Sequence, residues 1–265
     1  MKRAAFIFVL TLFVFAIAYA LLFPSAEYKQ GDKYEEIMAR GYLKVGINPN
    51  SKPFGYYDEN GNIIGYDADL ARYIAQYIVK SPNRLEFIPV TPSTRLIKAS
   101  TGEVDIVIST VTITPQRQEV VDFSIPYDTA GQAILVPSIS NVGSLSDLAG
   151  QNVGVIFGTT AEKNMKNLVP TAVLFGFRSY PDAYSALKKG QINAITSDDT
   201  ILSRFAIEDK SVKLLQKRYS REPYGIAFKK GETTVKLKEN LDFAIQDMQQ
   251  KNVIQRLRKK WNIDG

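Results

Sequence analysis

The stretch Val104-Asp-Ile-Val-Ile-Ser-Thr-Val-Thr-Ile-Thr-Pro-Gln-Arg117 decides how the rest of the chain is interpreted. Its first five residues, 104–108, are mostly apolar and β-branched, which predicts a buried strand. Four of the next six residues, 109–114, carry hydroxyl groups. A buried strand that ends in hydroxyls brings polar groups to the carboxyl edge of a sheet, where open α/β sheets bind their ligands.

A helix start is predicted at Thr114-Pro115, with Thr as the N-cap and Pro at the first helical position. Arg117 follows in the first turn, where the helix dipole favours anions. A cation is useful there if an anion binds both to it and to the free backbone N–H groups. The guanidinium can hold a carboxylate by two parallel hydrogen bonds. The alternative is a surface arginine paired with Glu119 or Asp122, and spacing alone leaves both open.

Composition limits the functions that are available to the chain. Its 265 residues, 45% of them hydrophobic and 23% charged, suit two modest lobes or one large globular domain. It contains no Cys and no His, which excludes disulfides, cysteine nucleophiles, Cys-based zinc sites and Ser-His triads. We expect no metal and no cofactor. Basic residues accumulate within 251–260, which indicates a solvated helix face or, alternatively, a partner or membrane patch.

The amino terminus combines a basic start, Met1-Lys-Arg3, with a mostly apolar run over 4–23. This pattern predicts that residues 1–26 are a signal peptide or a membrane anchor, because the run is long enough to span a bilayer. The positive start keeps that end cytoplasmic and sends the remainder outside. We therefore expect a periplasmic or extracytoplasmic protein, anchored by residues 4–23 if the leader is not cleaved.

Strand-like and helix-like segments alternate along the rest of the chain. The alternation predicts a mainly parallel α/β sheet with both faces covered. Asp67 and Asp199 are expected to cap helices, and one amphipathic helix is expected over 233–262. The strands are predicted at 42–47, 85–90, 104–108, 133–136, 153–157, 173–177, 192–198 and 224–228.

The central stretch and its continuation Val121-Asp-Phe-Ser-Ile-Pro-Tyr127 resemble the amino-acid-binding branch of the bacterial solute-binding proteins that serve ABC importers. Three earlier segments resemble the same family in the same order: Gly-Tyr-Leu-Lys-Val-Gly at 41–46, Pro-Phe-Gly-Tyr-Tyr-Asp-Glu-Asn-Gly at 53–61 and Gly-Tyr-Asp-Ala-Asp-Leu-Ala at 65–71. The match extends from Gly41 to Trp261.

The resemblance implies the type II periplasmic binding protein fold, which consists of two Rossmann-like α/β lobes joined by two crossing strands. Residues 27–131 and 224–265 would form the first lobe, and residues 132–223 the second. The crossings are expected near 131–136 and 221–224.

The resemblance also implies a ligand site. An α-amino acid needs a forked cation and hydroxyl or amide donors for its carboxylate, and an acid for its ammonium group. Arg117 would supply the fork, and Asp198 would pair with the ammonium. Thr110, Thr112 and Thr160 stand at positions where family members contact the ligand, Thr160 from the second lobe. The alternatives for Asp198 are an exposed charge at a strand end and a helix cap.

Selectivity for the ligand side chain is expected from other positions. Arg95 stands where members that bind acidic or amide amino acids direct an arginine toward the ligand, although it could be a solvated helix residue. Ser51 and Pro92 stand where an aromatic residue is common. This pattern favours glutamate or aspartate, then glutamine or asparagine. Asn48 replaces an arginine that some glutamate binders carry, and Phe54 is a pocket wall or a core residue.

The resemblance implies a protein that captures a polar amino acid between its lobes by hinge closure and delivers it to an ABC permease without chemical change. The expected partners are the ligand and the transmembrane subunits of the permease. Contact with the membrane is expected only through the permease or an uncleaved leader, and we expect a monomer without a nucleic-acid partner. The alternatives are a dehydratase-type enzyme on the same fold, with Asp198 or Glu162 as its acid, and a membrane-anchored sensor.

Overall fold

The fold is given by a computed structural model that describes residues 31–263. The predicted leader, residues 1–26 with the apolar run 4–23, lies outside these residues. Within 31–263, none of the helices has the length and apolarity needed to cross a membrane.

The first lobe is built on a five-stranded sheet with the strand order β5-β1-β6-β15-β7. These strands are β1 (Leu43–Ile47), β5 (Leu85–Pro89), β6 (Ile106–Val107), β7 (Val121–Phe123) and β15 (Ala227–Lys229). A small sheet of β2 (Asn50–Ser51), β3 (Gly55–Tyr57) and β4 (Ile63–Ile64) lies beside it. The helices of the first lobe are α1 (Lys33–Arg40), α2 (Tyr66–Ile78), α3 (Arg95–Thr101), α4 (Pro115–Gln118), α8 (Val235–Gln250) and α9 (Val253–Lys260).

The second lobe repeats this plan with the strand order β11-β10-β12-β9-β13. Its strands are β9 (Gln132–Pro137), β10 (Asn152–Ile156), β11 (Val173–Phe177), β12 (Ala194–Asp198) and β13 (Val212–Leu214). Its α-helices are α5 (Thr160–Leu168), α6 (Tyr180–Lys188) and α7 (Asp199–Glu208). A 3-10 turn, Ser146–Leu148, precedes β10.

One strand in each sheet runs against the others. β15 is antiparallel to β6 and β7, and β9 is antiparallel to β12 and β13. Both reversed strands come directly from the other lobe and enter their sheet from the cleft side. The remaining pairs of β1 with β5 and β6, and of β10 with β11 and β12, are parallel, which confirms the mainly parallel α/β architecture.

Two short strands carry the chain between the lobes. β8 (Asp128–Ala130) and β14 (Glu222–Tyr224) pair antiparallel, with Glu222 opposite Ala130 and Tyr224 opposite Asp128. The second crossing agrees with the expected position near 221–224. The first lies a few residues earlier than the expected 131–136, because those residues already belong to β9. The lobe boundaries 27–131 with 224–265 and 132–223 stay a prediction.

The core of the first lobe forms where helix faces meet the sheet. In α2 the residues at 70, 71, 74, 75 and 78 are fully buried, and this spacing places them on one helix face. They share one apolar cluster with Leu43 and Val45 of β1. Burying a Leu or Ile side chain contributes roughly 1.5–3 kcal/mol to the free energy of folding. The buried face of α2 therefore holds this helix firmly against the sheet, and its amino end borders the cleft.

The carboxyl-terminal helix is not continuous as predicted over 233–262. A 3-10 turn, Glu232–Thr234, comes first, and two helices follow, α8 and α9. Asn252 lies between them with φ of 55°, in the left-handed region that Asn enters more readily than most residues. The apolar stripe continues across the break because Met248, Val253 and Leu257 are all buried.

Candidate functional site

The loop after β6 carries the hydroxyl groups that were predicted to lie at the carboxyl edge of a sheet. Ser109, Thr110 and Thr112 are all buried. Thr110 has φ of 46°, which is an uncommon backbone conformation for a β-branched residue. Thr114 then caps α4 as predicted, since its Oγ1 accepts the N–H of Arg117 at 3.3 Å. The loop is therefore a fixed structure that holds several polar groups away from solvent.

Arg117 connects the two lobes. Its Nη1 donates to the carbonyl of Thr112 at 2.8 Å, and its Nη2 donates to the carbonyl of Gly158 in the second lobe at 3.0 Å. Burial and the nearby Arg95 charge lower the pKa of Arg117 to about 10, so it remains protonated at neutral pH. Its observed partners are these carbonyls, so the alternative of a surface arginine paired with Glu119 or Asp122 is wrong.

The second lobe presents a helix start to Arg117. Thr159 caps α5 by accepting the N–H of Glu162 at 3.3 Å, and Oε2 of Glu162 accepts the N–H of Gly158 at 3.0 Å. Thr160 is the first residue of the helix. It lines a cavity of about 370 Å³ together with Arg117, so the structure brings these two predicted site residues together.

Asp198 ends β12 at the inner edge of the second sheet. It is only 5% exposed, and its Oδ2 accepts a hydrogen bond from the hydroxyl of Tyr224. Burial raises the pKa of Asp198 to about 6, while the Tyr224 hydrogen bond and the charges of Arg95 and Arg117 oppose that rise. The carboxylate stands at the N-cap position of α7 without capping it. Both alternatives for this residue, an exposed charge and a helix cap, are therefore wrong.

Asp199, the expected cap, serves the hinge instead. Its Oδ1 accepts the N–H of Gly131 at 3.0 Å, and its own N–H donates to the Gly131 carbonyl at 2.8 Å. Its Oδ2 accepts Nε of Arg218 at 2.6 Å. Gly131 is the residue between the hinge strand β8 and β9, so Asp199 fixes the chain where it enters the second lobe.

Arg95 is 3% exposed, so the alternative of a solvated helix residue is wrong. Its Nη1 donates to the carbonyl of Ser109 and, at 3.3 Å, to the carbonyl of Thr110. Its buried Nε has no hydrogen-bond partner within residues 31–263. Burial lowers the pKa of Arg95, while the charge of Asp198 opposes this shift.

Asp67 was expected to cap α2, but Gly65 holds the N-cap position. Asp67 is instead 1% exposed and accepts a long hydrogen bond of 3.4 Å from the hydroxyl of Tyr127. Burial raises the pKa of Asp67 to about 7, and the Tyr127 hydrogen bond, the Thr110 backbone N–H and the Arg95 charge oppose that rise. This buried acid was not expected from the sequence, where it matched the common pattern of an acidic first turn.

Asn48 and Phe54 lie on the first-lobe side. Asn48 is 5% exposed, and it is bonded within its own loop, through Nδ2 to the hydroxyl of Ser51 and through Oδ1 to the N–H of Asn50. Phe54 is fully buried and meets the Tyr224 ring edge-to-face, with 6.2 Å between the centroids. Phe54 therefore belongs to the core and supports the tyrosine that is bonded to Asp198.

A cluster of buried tyrosines was missed by the sequence reasoning. The hydroxyl of Tyr180 lies 3.1 Å from Oγ of Ser197, and the rings of Tyr127 and Tyr224 are 6.2 Å apart. In the sequence, nothing distinguishes these tyrosines from ordinary aromatic residues of the core. Only the fold shows that their hydroxyl groups converge near the buried charges.

The lobes also touch on both rims of the cleft. Lys52 and Glu208 form an ion pair of 3.3 Å on one rim, and Nζ of Lys163 donates to Gln116 on the other. At Gly158 the backbones approach so closely that an added Cβ would lie 2.5 Å from the carbonyl oxygen of Pro92. The structure is thus a closed form of the two lobes.

Comparison with known proteins identifies the family. The model of the bacterial extracellular solute-binding proteins, family 3, matches residues 43–264. The chain belongs to this family.

Two relatives and one solved structure illustrate the match. The ABC transporter glutamine-binding protein of Bacillus subtilis is 35% identical over 221 residues, which are 83% of this chain and 80% of the relative. A glutamine-binding protein of Geobacillus stearothermophilus is 38% identical over 194 residues, 72% of this chain and 74% of the relative. The ancestral amino acid-binding protein AncCDT-1, described as a precursor of cyclohexadienyl dehydratase, superposes with a TM-score of 0.80 at 34% identity, covering 86% of this chain and 98% of that one.

These matches confirm the type II periplasmic binding protein fold and the general function of an amino-acid-binding component of an ABC transporter. The description of the family as extracellular agrees with the export that the amino-terminal sequence predicts. The roles of the individual site residues stay a prediction.

Proposed function

We propose that this solute-binding protein captures a polar amino acid in the cleft between its lobes and passes it unchanged to an ABC permease. The observation that carries the proposal is that Arg117 from the first lobe and Asp198 from the second are both buried, and that Arg117 already reaches across the cleft to the carbonyl of Gly158. A guanidinium and a carboxylate on facing lobes complement the carboxylate and ammonium of one zwitterion. Thr110, Thr112 and Thr160 would add hydroxyl and amide contacts.

The balance of buried charge favours a ligand with a neutral side chain. Arg95 is the second buried cation beside the cleft, but its charge already faces Asp67 and Asp198. An acidic ligand side chain would compete with these carboxylates, whereas an amide side chain adds no further charge to the site. We therefore place glutamine and asparagine ahead of glutamate and aspartate, which the sequence alone favoured. The two glutamine-binding relatives support this order.

Hinge closure would enclose the ligand. Within residues 31–263, the chain passes between the lobes only through the pair β8 and β14, and the rim contacts Lys52–Glu208 and Lys163–Gln116 join the lobes in the closed form. A ligand shifts the equilibrium toward closure only through contacts that it makes better in the closed state. An amino acid held by Arg117 and Asp198 together meets that condition, because the two groups come from different lobes.

Binding without catalysis is the second part of the proposal. The relatives are named as binding proteins, and Asp198, the main candidate for a general acid, is bonded to Tyr224 and suited to hold an ammonium group. Residues 1–26 would direct export and be cleaved, or would anchor the protein beside its permease. Mass spectrometry of the exported protein decides between cleavage and anchoring.

Titration calorimetry with a panel of amino acids tests the proposal. Glutamine should bind with micromolar or tighter affinity, and glutamate, arginine and cystine should bind more weakly. Arg117→Met should abolish binding, because it removes the fork for the ligand carboxylate. Arg178→Met, at an exposed arginine of the second lobe, is the matched control and should bind as the unmodified protein does. Unchanged affinity in Arg117→Met would refute the assignment, and turnover of prephenate or arogenate would refute binding without catalysis.

A further inference from the structure

Tyr224 lies on the hinge strand β14, between the two charges of the proposed ligand site. The residue is fully buried. Its main chain pairs with the loop 109–114 of the first lobe, and its hydroxyl is bonded to the carboxylate at the end of β12 in the second lobe. A single hinge residue therefore contacts both halves of the site.

The main chain at Tyr224 is joined to the loop that holds Arg117. Tyr224 lies opposite Thr112 in an antiparallel bridge. Two backbone hydrogen bonds of 2.8 Å and 3.0 Å flank this pair, from the N–H of Ile113 to the carbonyl of Pro223 and from the N–H of Gly225 to the carbonyl of Val111. The carbonyl of Thr112 in turn accepts Nη1 of Arg117 at 2.8 Å. The position of the guanidinium thus depends on a backbone unit that includes Tyr224.

The ring of Tyr224 is held by aromatic side chains on the first-lobe side. Phe54 meets it edge-to-face, and the ring of Tyr127 lies at the same centroid distance of 6.2 Å. Aromatic pairs at such distances are favourable beyond the area that they bury. Because both the backbone and the ring are fixed in this way, the first lobe determines where the hydroxyl oxygen of Tyr224 lies.

This hydroxyl reaches the second lobe. It donates to Oδ2 of Asp198, and Oγ1 of Thr200 lies 3.2 Å from it. With its hydrogen directed to Asp198, the tyrosine oxygen can still accept the hydroxyl hydrogen of Thr200. Within residues 31–263, no other side chain is hydrogen-bonded to the carboxylate of Asp198, so its Oδ1 remains for a ligand ammonium group.

We propose that Tyr224 is a positioning residue that sets the spacing between Arg117 and Asp198 in the closed form. Its main chain is joined to the loop that holds the guanidinium, and its hydroxyl holds the carboxylate. The inference rests on the proposed function, since it assumes that these two charges grip one amino acid. Because hinge closure moves atoms near the pivot least, a residue on a hinge strand can keep this spacing constant while the outer parts of the lobes move.

The hydrogen bond should also influence the ionisation of Asp198. Besides Tyr224, the charged and titratable groups that face this carboxylate are Arg95, Arg117, Glu222 and Tyr180. The two arginines favour its ionised form, and Glu222 opposes it. A hydroxyl that donates to a carboxylate favours the ionised form as well. Loss of the Tyr224 hydroxyl should therefore raise the pKa of Asp198 above its value of about 6.

Calorimetry with L-glutamine on Tyr224→Phe tests the proposal, because this change removes one oxygen atom and keeps the ring. The affinity at pH 7.5 should fall about tenfold or more, since the lost hydrogen bond is made to a charged group. In the background of Asp198→Asn, Tyr224→Phe should cost no more than about threefold, because only a neutral amide then accepts the hydroxyl. Tyr184→Phe is the matched control, since it removes a hydrogen bond from tyrosine to Asp209 and should leave affinity unchanged.

The pH dependence separates the hydrogen bond from packing. Affinity of the unmodified protein should rise as pH passes through about 6, and Tyr224→Phe should move this rise to higher pH. Carbon-13 NMR of the Asp198 carboxyl group in the ligand-free protein gives a reading that needs no ligand. Its titration midpoint should be higher in Tyr224→Phe than in the unmodified protein and unchanged in Tyr184→Phe.

The outcomes distinguish this inference from the proposed function. If the unmodified protein does not bind glutamine, the proposed ligand is wrong, and the NMR titration alone then decides the role of Tyr224. Affinity of Tyr224→Phe within about threefold of the unmodified protein would overturn the inference. An equal loss with and without Asp198→Asn, or an unchanged titration midpoint of Asp198, would also overturn it.

Discussion

Replacement of Asp198 by Asn should make the ligand-free protein more stable at neutral pH. Burial raises the pKa of Asp198 from 3.8 to about 6. This rise in pKa corresponds to about 3 kcal/mol of unfavourable free energy for the ionised form in the folded protein. Asn keeps the shape and still accepts the hydroxyl of Tyr224, but it carries no charge to desolvate.

The pH dependence gives the sign of this effect. The folded protein binds the Asp198 proton more tightly than the unfolded chain, so the contribution of Asp198 to stability falls as pH rises from about 4 to about 6. Urea unfolding at pH 4 and pH 7.5 should therefore show Asp198→Asn gaining up to about 3 kcal/mol over the unmodified protein only at the higher pH. Asp67 titrates in both proteins, so their difference isolates Asp198.

The same change should weaken ligand binding. Removal of one partner from a buried charge pair costs about 3–5 kcal/mol, which is about 100-fold or more in affinity. Calorimetry with glutamine measures this loss, with Glu119→Gln as the control at an exposed acid. If Asp198→Asn bound glutamine within about threefold of the unmodified protein, the role of Asp198 as the partner of the ammonium would be refuted. A loss of stability at pH 7.5 would instead refute the unfavourable burial of its ionised carboxylate.

Three further changes test closure and packing. Gly158→Ala should weaken glutamine binding at least tenfold in calorimetry, because the new Cβ would lie 2.5 Å from the Pro92 carbonyl oxygen when the lobes close. An unchanged affinity for glutamine would contradict this account of closure. Lys52→Met removes a half-exposed ion pair with Glu208, so affinity should change less than about threefold and should lose part of its salt dependence in titrations at low and high NaCl. Phe54→Ala should lower the free energy of unfolding in urea by about 3–5 kcal/mol, and a loss below about 1 kcal/mol would show that this fully buried ring is not a core element.

The fold could be predicted because its signals are local and repeated. Alternating strands and helices indicate a mainly parallel α/β protein, and the ordered motifs between Gly41 and Trp261 indicate two lobes. What failed were details that depend on single backbone conformations. The helix break at Asn252 leaves the apolar stripe uninterrupted, so hydrophobic periodicity alone did not show it.

For the site, the sequence indicated which residues to examine but not what each one contacts. Arg117, Thr160 and Asp198 were singled out, and the structure places Thr160 beside Arg117 and buries Asp198. Asp67 was misread as a helix cap, because an acid in the first helical turn is also the common pattern for a solvated helix. Its burial depends on Tyr127, which lies 60 positions away in the chain. A contact of that sequence separation leaves no periodic signal.

The raised pKa of Asp198 links ligand capture to closure. In the closed, ligand-free protein the acid is desolvated, which favours its protonated form. A bound ammonium group would favour the ionised form instead, so binding near pH 6 should release protons. Calorimetry at pH 6 in buffers of different ionisation enthalpy should therefore show a buffer-dependent heat, and affinity should rise as pH increases through about 6. Asp198→Asn should lose most of both effects, because the ligand then has no acid at this position to deprotonate. If the heat of binding did not vary with the buffer, Asp198 would not pair with the ligand ammonium. Its raised pKa would then be a consequence of burial alone.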